Sequence, residues 1–229
     1  MNRLLNWLET IAPNVWAIPD RILQSTWQTI YMTLIAAVIA GTIGIMFGVI
    51  LVITNRRGIL EKPRLYNKLE QFINTGRSVP FIILMALLAP FTRFIVGTTI
   101  GTTAAIVPLT IGIIPFYSRQ VENALLEVDP GIVEAAESMG SSPLEIIFGV
   151  YLKEGLPSLV RVSAVSIINL IGLTTMAGVV GGGGLGDLAI ARGYNRYQLD
   201  ITIVSTLLIM LIVFVTQWIG RILIRKTTH

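Results

Sequence analysis

An all-α integral membrane protein with five transmembrane helices is the fold class that this sequence predicts. Three observations carry that expectation. Of 229 residues, 53% are hydrophobic and only 13% charged, against roughly 25% charged in an ordinary soluble domain. Mean hydropathy is +0.74. The charges are also unevenly spread: residues 22–55, 78–92, 94–118, 162–186 and 201–220 contain none. A helix needs about 20 mostly apolar residues to cross the hydrocarbon. A buried charge costs about 2.5–3.5 kcal/mol on insertion scales, so long uncharged runs are informative.

These runs place helices near 24–54, 72–94, 98–120, 158–181 and 200–222, in one membrane domain spanning 1–229. The second has the shortest uncharged stretch. It is expected to begin in the polar segment before Arg77, with that side chain snorkelling or facing protein. The first twenty residues lack the apolar core of a cleavable signal peptide. Trp7, Pro13, Trp16 and Pro19 read as an interfacial segment leading into the first span.

Five spans put the termini on opposite sides. Arg3, Arg21, Arg93, Arg192 and Arg196 fall on one side, and the other twelve of the seventeen Lys and Arg on the other. Basic residues concentrate in cytoplasmic loops, so the N-terminus is expected outside and the C-terminus inside. This reading also accounts for the net charge of +4 without a nucleic-acid partner. The absence of cysteine and the single, terminal His229 argue against disulfides, thiolate metal sites, cysteine nucleophiles and histidine-based triads or metal cages.

Within the spans, Ala36, Ala40, Gly44 and Gly48 form an i,i+4 stripe, and Gly97 and Gly101 open the third span in the same style. Small residues at this spacing permit close helix approach, either within one subunit or between subunits. Pro80, Pro90, Pro108 and Pro115 interrupt the second and third spans.

The segment 121–157 is too polar to span. It carries Glu122, Glu127, Asp129, Glu134, Glu137, Glu145 and Glu154 against one base, Lys153. Acidic residues contribute little to insertion, so the composition points to a partner or to a covering loop. Asp129 is a good N-cap, with Pro130 at the first helical position. Ile132, Val133, Ala135, Ala136 and Met139 give a short helix an apolar side, and Gly140 suits the left-handed position after it. Ser142 and Glu145 are spaced as a capping box for a second helix, with Pro143 at its start. Gly155 and Pro157 close the segment.

Glu134-Ala135-Ala136, three residues, Gly140, then a leucine–proline pair resembles the EAA loop of ABC importer permeases. Arg77–Leu84, Pro90–Thr98 and Val121–Glu127 resemble the methionine-importer branch of that family, and the likeness runs from about Gln28 to Lys226. The resemblance implies the type I permease fold, with the loop as the coupling helix that docks on a cytoplasmic ATPase. Glu134, Ala135, Ala136 and Gly140 would be coupling residues. Glu134 then pairs with a basic residue of the ATPase, or stays a solvated carboxylate favoured by the helix dipole. Further implied are a homodimer, two ATP-binding subunits, an external substrate-binding protein or lipoprotein, and a plasma-membrane location. The cargo would be methionine, D- or L-, or otherwise another amino acid or small peptide. One departure stands out: Lys153 occupies a position where the family usually has proline, while Leu156-Pro157 is retained.

Candidate path-lining residues are Ser163, Ser166 and Asn169, of which Ser166 and Asn169 are an i,i+3 pair. Interhelical hydrogen bonding is the alternative for all three. Met176 is a candidate constriction or a packing residue. Gly181-x-Gly183-x-x-Gly186 satisfies a dinucleotide fingerprint, but it follows a span rather than a strand. It reads as a tight turn, or as a contact for a delivery protein. No Gly-x-x-x-x-Gly-Lys-Ser/Thr loop is present, so any ATP is expected to bind a partner subunit and this chain needs no cofactor and is not an enzyme. An ion-coupled secondary transporter is the rival class, weakened by the lack of charge in the spans. An intramembrane enzyme has little support, because no histidine, cysteine or acidic pair lies at membrane depth.

Overall fold

The computed structural model describes residues 12–227. The expectations for Arg3, Trp7 and His229 lie outside the described residues. In order, the helices are α1 Pro13–Trp16, α2 Pro19–Thr54, α3 Pro63–Ser78, α4 Phe81–Val96, α5 Thr102–Leu126, α6 Pro130–Ser138, α7 Pro143–Ile146, α8 Leu152–Glu154, α9 Leu156–Ala177, α10 Gly184–Asp187 and α11 Leu199–Thr227. Ile147–Tyr151 and Leu188–Tyr194 form π-helical turns, Gly178–Gly182 is a π turn broken by non-helical backbone at Val180 and Gly181, and the described residues contain no strand. Four helices, α2, α5, α9 with its π turn, and α11, are long and apolar enough to cross a membrane. The pair α3 and α4 makes a fifth span only if counted together across a bend of 106°.

That bend corrects the span expected at 72–94. Val79 is extended (φ −81°, ψ 121°) and Pro80 precedes α4. A residue before proline is driven out of the helical region, and proline supplies no N–H to continue a helix. The apolar part that remains, Phe81–Val96, is about 24 Å long at 1.5 Å per residue. Arg77 therefore sits in the last turn of amphipathic α3, where a cation favours the helix dipole, and its side chain is exposed rather than facing protein. Pro90 lies inside α4, and Pro108 and Pro115 inside α5, without ending either helix.

The third span also differs from 98–120. Gly97 (φ +83°) closes α4 in the left-handed region and Gly101 (φ +102°) precedes α5. A Cβ at either would meet nothing within 4 Å, so these glycines make a turn and pack against no described residue of this chain. α5 then runs to Leu126, taking residues 121–126 out of the expected loop.

By packing, the chain forms two compact units. The first comprises the described residues up to Ala37, with Pro80–Thr110 and Ile168–Val215. Its interior holds Met32, Ala36, Leu170, Ile171, Leu185 and Ile201. Here the Gly181–Gly186 run is a backbone turn. Gly184 N–H donates to Gln28 Oε1 (2.9 Å), Leu185 N–H to Thr29 Oγ1 (2.9 Å) and Gly101 N–H to the Gly181 carbonyl (2.9 Å). A Cβ on Gly186 would overlap the Thr175 backbone, so bulk is excluded. The second unit comprises Val38–Val79, Ile111–Ile167 and the described residues from Thr216 onward. Its core joins Val52, Tyr117, Val121, Leu125, Val133, Ala136, Ile146, Tyr151 and Leu159.

The small stripe on α2 is used inside this chain. Ala36 and Ala40 are buried. Side chains on Gly44 and Gly48 would overlap Tyr117 and Val121 of α5. The close approach is a backbone-to-side-chain contact of the kind that stabilises helices where no hydrophobic effect operates between them.

Candidate functional site

The polar segment is a capped two-helix unit. Asp129 Oδ1 accepts from Gly131 N–H (2.8 Å), and Pro130 starts α6. Its end is a Schellman motif: Gly140 (φ +85°) donates to the Glu137 carbonyl (2.9 Å) and Ser141 to that of Ala136 (3.1 Å). Ser142 opens α7 in a complete capping box. Its N–H donates to Glu145 Oε2 (2.7 Å), and Glu145 N–H donates to Ser142 Oγ (3.4 Å). The Ser142 backbone N–H, and after it the Ser142 hydroxyl, holds the Glu145 carboxyl below the usual glutamate value.

Two faces of α6 separate along the helical period. Val133 and Ala136 are buried and belong to the core of their unit. Ile132, Ala135 and Met139 face out, with Leu144 and Phe148 of the next turns. Met139 is 80% exposed and Phe148 67%. The expected single apolar side is thus two, one feeding the core and one left bare beside acids. Among the coupling candidates, Glu134, Ala135 and Gly140 are on the surface and Ala136 is interior. Met139, Leu144 and Phe148 complete the outward surface; the signal for them was a hydrophobic residue at each position of a polar segment.

Glu134 and Glu137 also line a cavity of about 840 Å³, shared with Arg56, Arg57, Tyr66, Asn67 and Tyr151. Burial, and next to it the Glu137 charge, raises the Tyr151 phenol above its ordinary value, so the hydroxyl stays protonated.

Not every acid expected for a partner is available. Glu122 lies in α5, 2% exposed, and bonds Arg119 and Tyr66. Glu127 accepts from Ser158, and Asp129 is spent on its cap. Lys153 sits in α8, which continues the π turn up to Gly155. Proline would supply no N–H there, so this chain keeps a helical turn at that point.

The four span candidates separate. Ser163 Oγ donates to the Leu159 carbonyl (2.7 Å) and therefore accepts from Tyr117 Oη (2.7 Å). Ser166 is buried and donates within its helix to Val162 (2.8 Å). Both serines thus serve packing or their own helix. Asn169 and Met176 are exposed, and with Gly172 they recur at the 3–4 spacing of one helix face. Ser166 and Asn169 stand only about 60° apart around the helix, so they flank one boundary, Ser166 on its buried side and Asn169 on its exposed side.

The chain matches, over residues 40–229, the family model described as the binding-protein-dependent transport system inner membrane component. It is 49% identical over 210 residues to the "Probable D-methionine transport system permease protein MetI" of Vibrio cholerae, covering 92% of this chain and 93% of the relative. It is 44% identical over 200 residues to the "Methionine import system permease protein MetP" of Bacillus subtilis, covering 87% and 90%. Among solved structures, a chain of the inward-facing MetNI methionine ABC transporter superposes with a TM-score of 0.91 at 39% identity, covering 93% of this chain and 99% of that one. Family-model match and near full-length similarity agree: this chain belongs to the binding-protein-dependent transport system inner membrane component family.

Proposed function

We propose that this chain is the membrane-spanning permease subunit of an ATP-driven importer that carries methionine across the plasma membrane into the cytoplasm. The observation that carries this is the near full-length similarity to permeases named for methionine import. Two copies form the pathway, the exposed α9 face with Asn169 and Met176 lining it. A thioether side chain suits such a mostly apolar wall. Each copy presents α6 and α7 to an ATP-binding subunit, which hydrolyses the nucleotide; the permease binds none and is not itself an enzyme. Glu134, Ala135, Ala136 and Gly140 form or support that contact. The N-terminus is outside, the C-terminus is cytoplasmic, and a substrate-binding protein delivers cargo from outside.

The test is uptake of labelled methionine at low concentration in the native cell, with the gene deleted and then restored. Loss and rescue support the reading, and competition by unlabelled D- and L-methionine reports stereochemistry. Unchanged uptake in cells without a second methionine importer overturns the cargo. Competition by another amino acid or a short peptide would redirect it, and transport persisting without any ATPase would favour an ion-coupled carrier.

A further inference from the structure

We propose that a polar pocket formed by Arg21, Arg192 and Arg196 is the docking point for acidic side chains of the substrate-binding protein. The inference rests on the importer reading above and on its orientation, which places these residues outside.

The pocket lies within the first unit and has a volume of about 240 Å³. Three guanidiniums line it against a single carboxylate, Asp187. Among the described residues, the only ion pairs are those of Arg119, and none of the three arginines has an ion-pair partner there. Arg192 Nε is buried and has no hydrogen-bond partner. A buried charged donor left unpaired is costly, and the cost is recovered when an acceptor arrives. The missing piece is an anion.

A free amino acid fits poorly. Leu188 and Ala191 are the only apolar side chains in the lining, so a thioether would find little to cover it. Arg21 and Arg196 are exposed, which suits a carboxylate presented from a larger body. Beside the pocket, Tyr194 is 72% and Tyr197 94% exposed. Tyr197 is held at φ +58°, a strained conformation for a residue with a side chain. Its N–H bonds to the Tyr194 carbonyl (3.2 Å), and Gln198 N–H to that of Gly193 (2.8 Å). The turn thereby projects both rings. Exposed tyrosine and arginine are the residue types that anchor protein interfaces. Unpaired positive charge also speeds the encounter with an acidic partner.

The chain has no cysteine, so a single Arg196→Cys can be labelled selectively. In intact cells with a permeable outer layer, a membrane-impermeant maleimide should reach Arg196→Cys but not Arg56→Cys. Saturating purified methionine-binding protein from the same organism should slow the labelling at least tenfold. Arg21→Glu and Arg196→Glu should each raise, about tenfold, the binding-protein concentration giving half-maximal uptake, with the maximal rate retained and the salt dependence flattened. If the binding protein drives uptake but protects nothing, and the variants respond as the parent does, the docking point is overturned while the importer reading stands. If Arg196→Cys is unreachable from outside and Arg56→Cys is reached, orientation and docking fall together. If no binding protein stimulates uptake, the importer reading fails and the docking point with it.

Discussion

Arg119 Nη1 donates to Glu122 Oε2 at 2.6 Å, and the same guanidinium reaches Glu70 at 3.1 Å, tying amphipathic α3 to the end of α5. Asn74 Oδ1 (3.1 Å to Nη2) and Tyr66 Oη (3.1 Å to Glu122 Oε1) extend the network along one side of α3 at positions 66, 70 and 74. Glu122 has almost no solvent of its own. Removing its partner strands a buried carboxylate, which costs about 3–5 kcal/mol. Arg119→Met should therefore lower the melting temperature of the detergent-purified protein markedly. Arg119→Met with Glu122→Leu should recover much of the loss, because no unpaired charge remains. Equal melting of Arg119→Met and the parent would show that the network contributes little.

Gly48 against Val121 gives a second, independent test. A Cβ at Gly48 would overlap the Val121 side chain and come within 3.0 Å of the Ser118 carbonyl. Overpacking of this kind costs typically about 1–3 kcal/mol. Gly48→Ala should destabilise the protein, and Val121→Ala should partly rescue it. Thermal melts of the two single variants and the double variant give the coupling directly. Purely additive losses would place the strain elsewhere.

Much of this architecture was legible in the sequence because its causes are local. Uncharged runs mark α2, α5, α9 and α11, since lipid penalises charge. Asp129-Pro130, Gly140 and the Ser142/Glu145 pair mark helix ends, since each supplies a backbone partner or a φ that the chain needs there. What escaped depends on distance. The break at Val79-Pro80 is marked only by a proline, and Pro90, Pro108 and Pro115 show that proline in this chain does not by itself end a helix. Glu122 looks like one more loop acid until α5 carries it back against Arg119 and α3. The π turn at Ile147–Tyr151 has no composition signal at all.

At Gly140, space is open but the backbone is not. Nothing lies within 4 Å of an added Cβ, so Gly140→Ala pays only for the left-handed φ, about 1–2 kcal/mol. Gly140→Asn should pay less, because asparagine visits that region more readily. We expect ATP hydrolysis per methionine imported to rise in the order parent, Asn, Ala as the corner loosens. A ratio unchanged in the alanine variant would separate the corner from coupling.

Acid should act on the capping box. The Glu145 pKa is lowered by the Ser142 N–H, so its contribution is complete above the ordinary value of 4.5 and is lost as pH falls through the lowered folded value. Hydrogen exchange at the Ser142 amide, corrected for intrinsic rate, should lose protection in the parent only as pH falls below the ordinary glutamate value. In Glu145→Gln that acid-dependent step should be absent. A step persisting in the glutamine variant would assign it to another carboxyl.

Ala135 and Ala136 are adjacent, yet one is exposed and the other is 6% exposed in the core. They allow docking to be told from folding. Ala135→Trp adds bulk to the outer face only, so the protein should insert and melt normally while failing to bring down its ATPase. Ala136→Trp drives the same ring into the packing of Val133, Ile146 and Tyr151, and should lower expression and melting temperature before any partner is considered. Glu134→Lys belongs with the first class: the side chain is exposed, and reversing its charge should uncouple hydrolysis from transport with insertion intact. Copurification of the ATPase with each variant reads the dock, and melting reads the core. If Ala135→Trp retains the ATPase and full uptake, the exposed face of α6 is not the contact, and the Met139–Leu144–Phe148 surface must carry it alone.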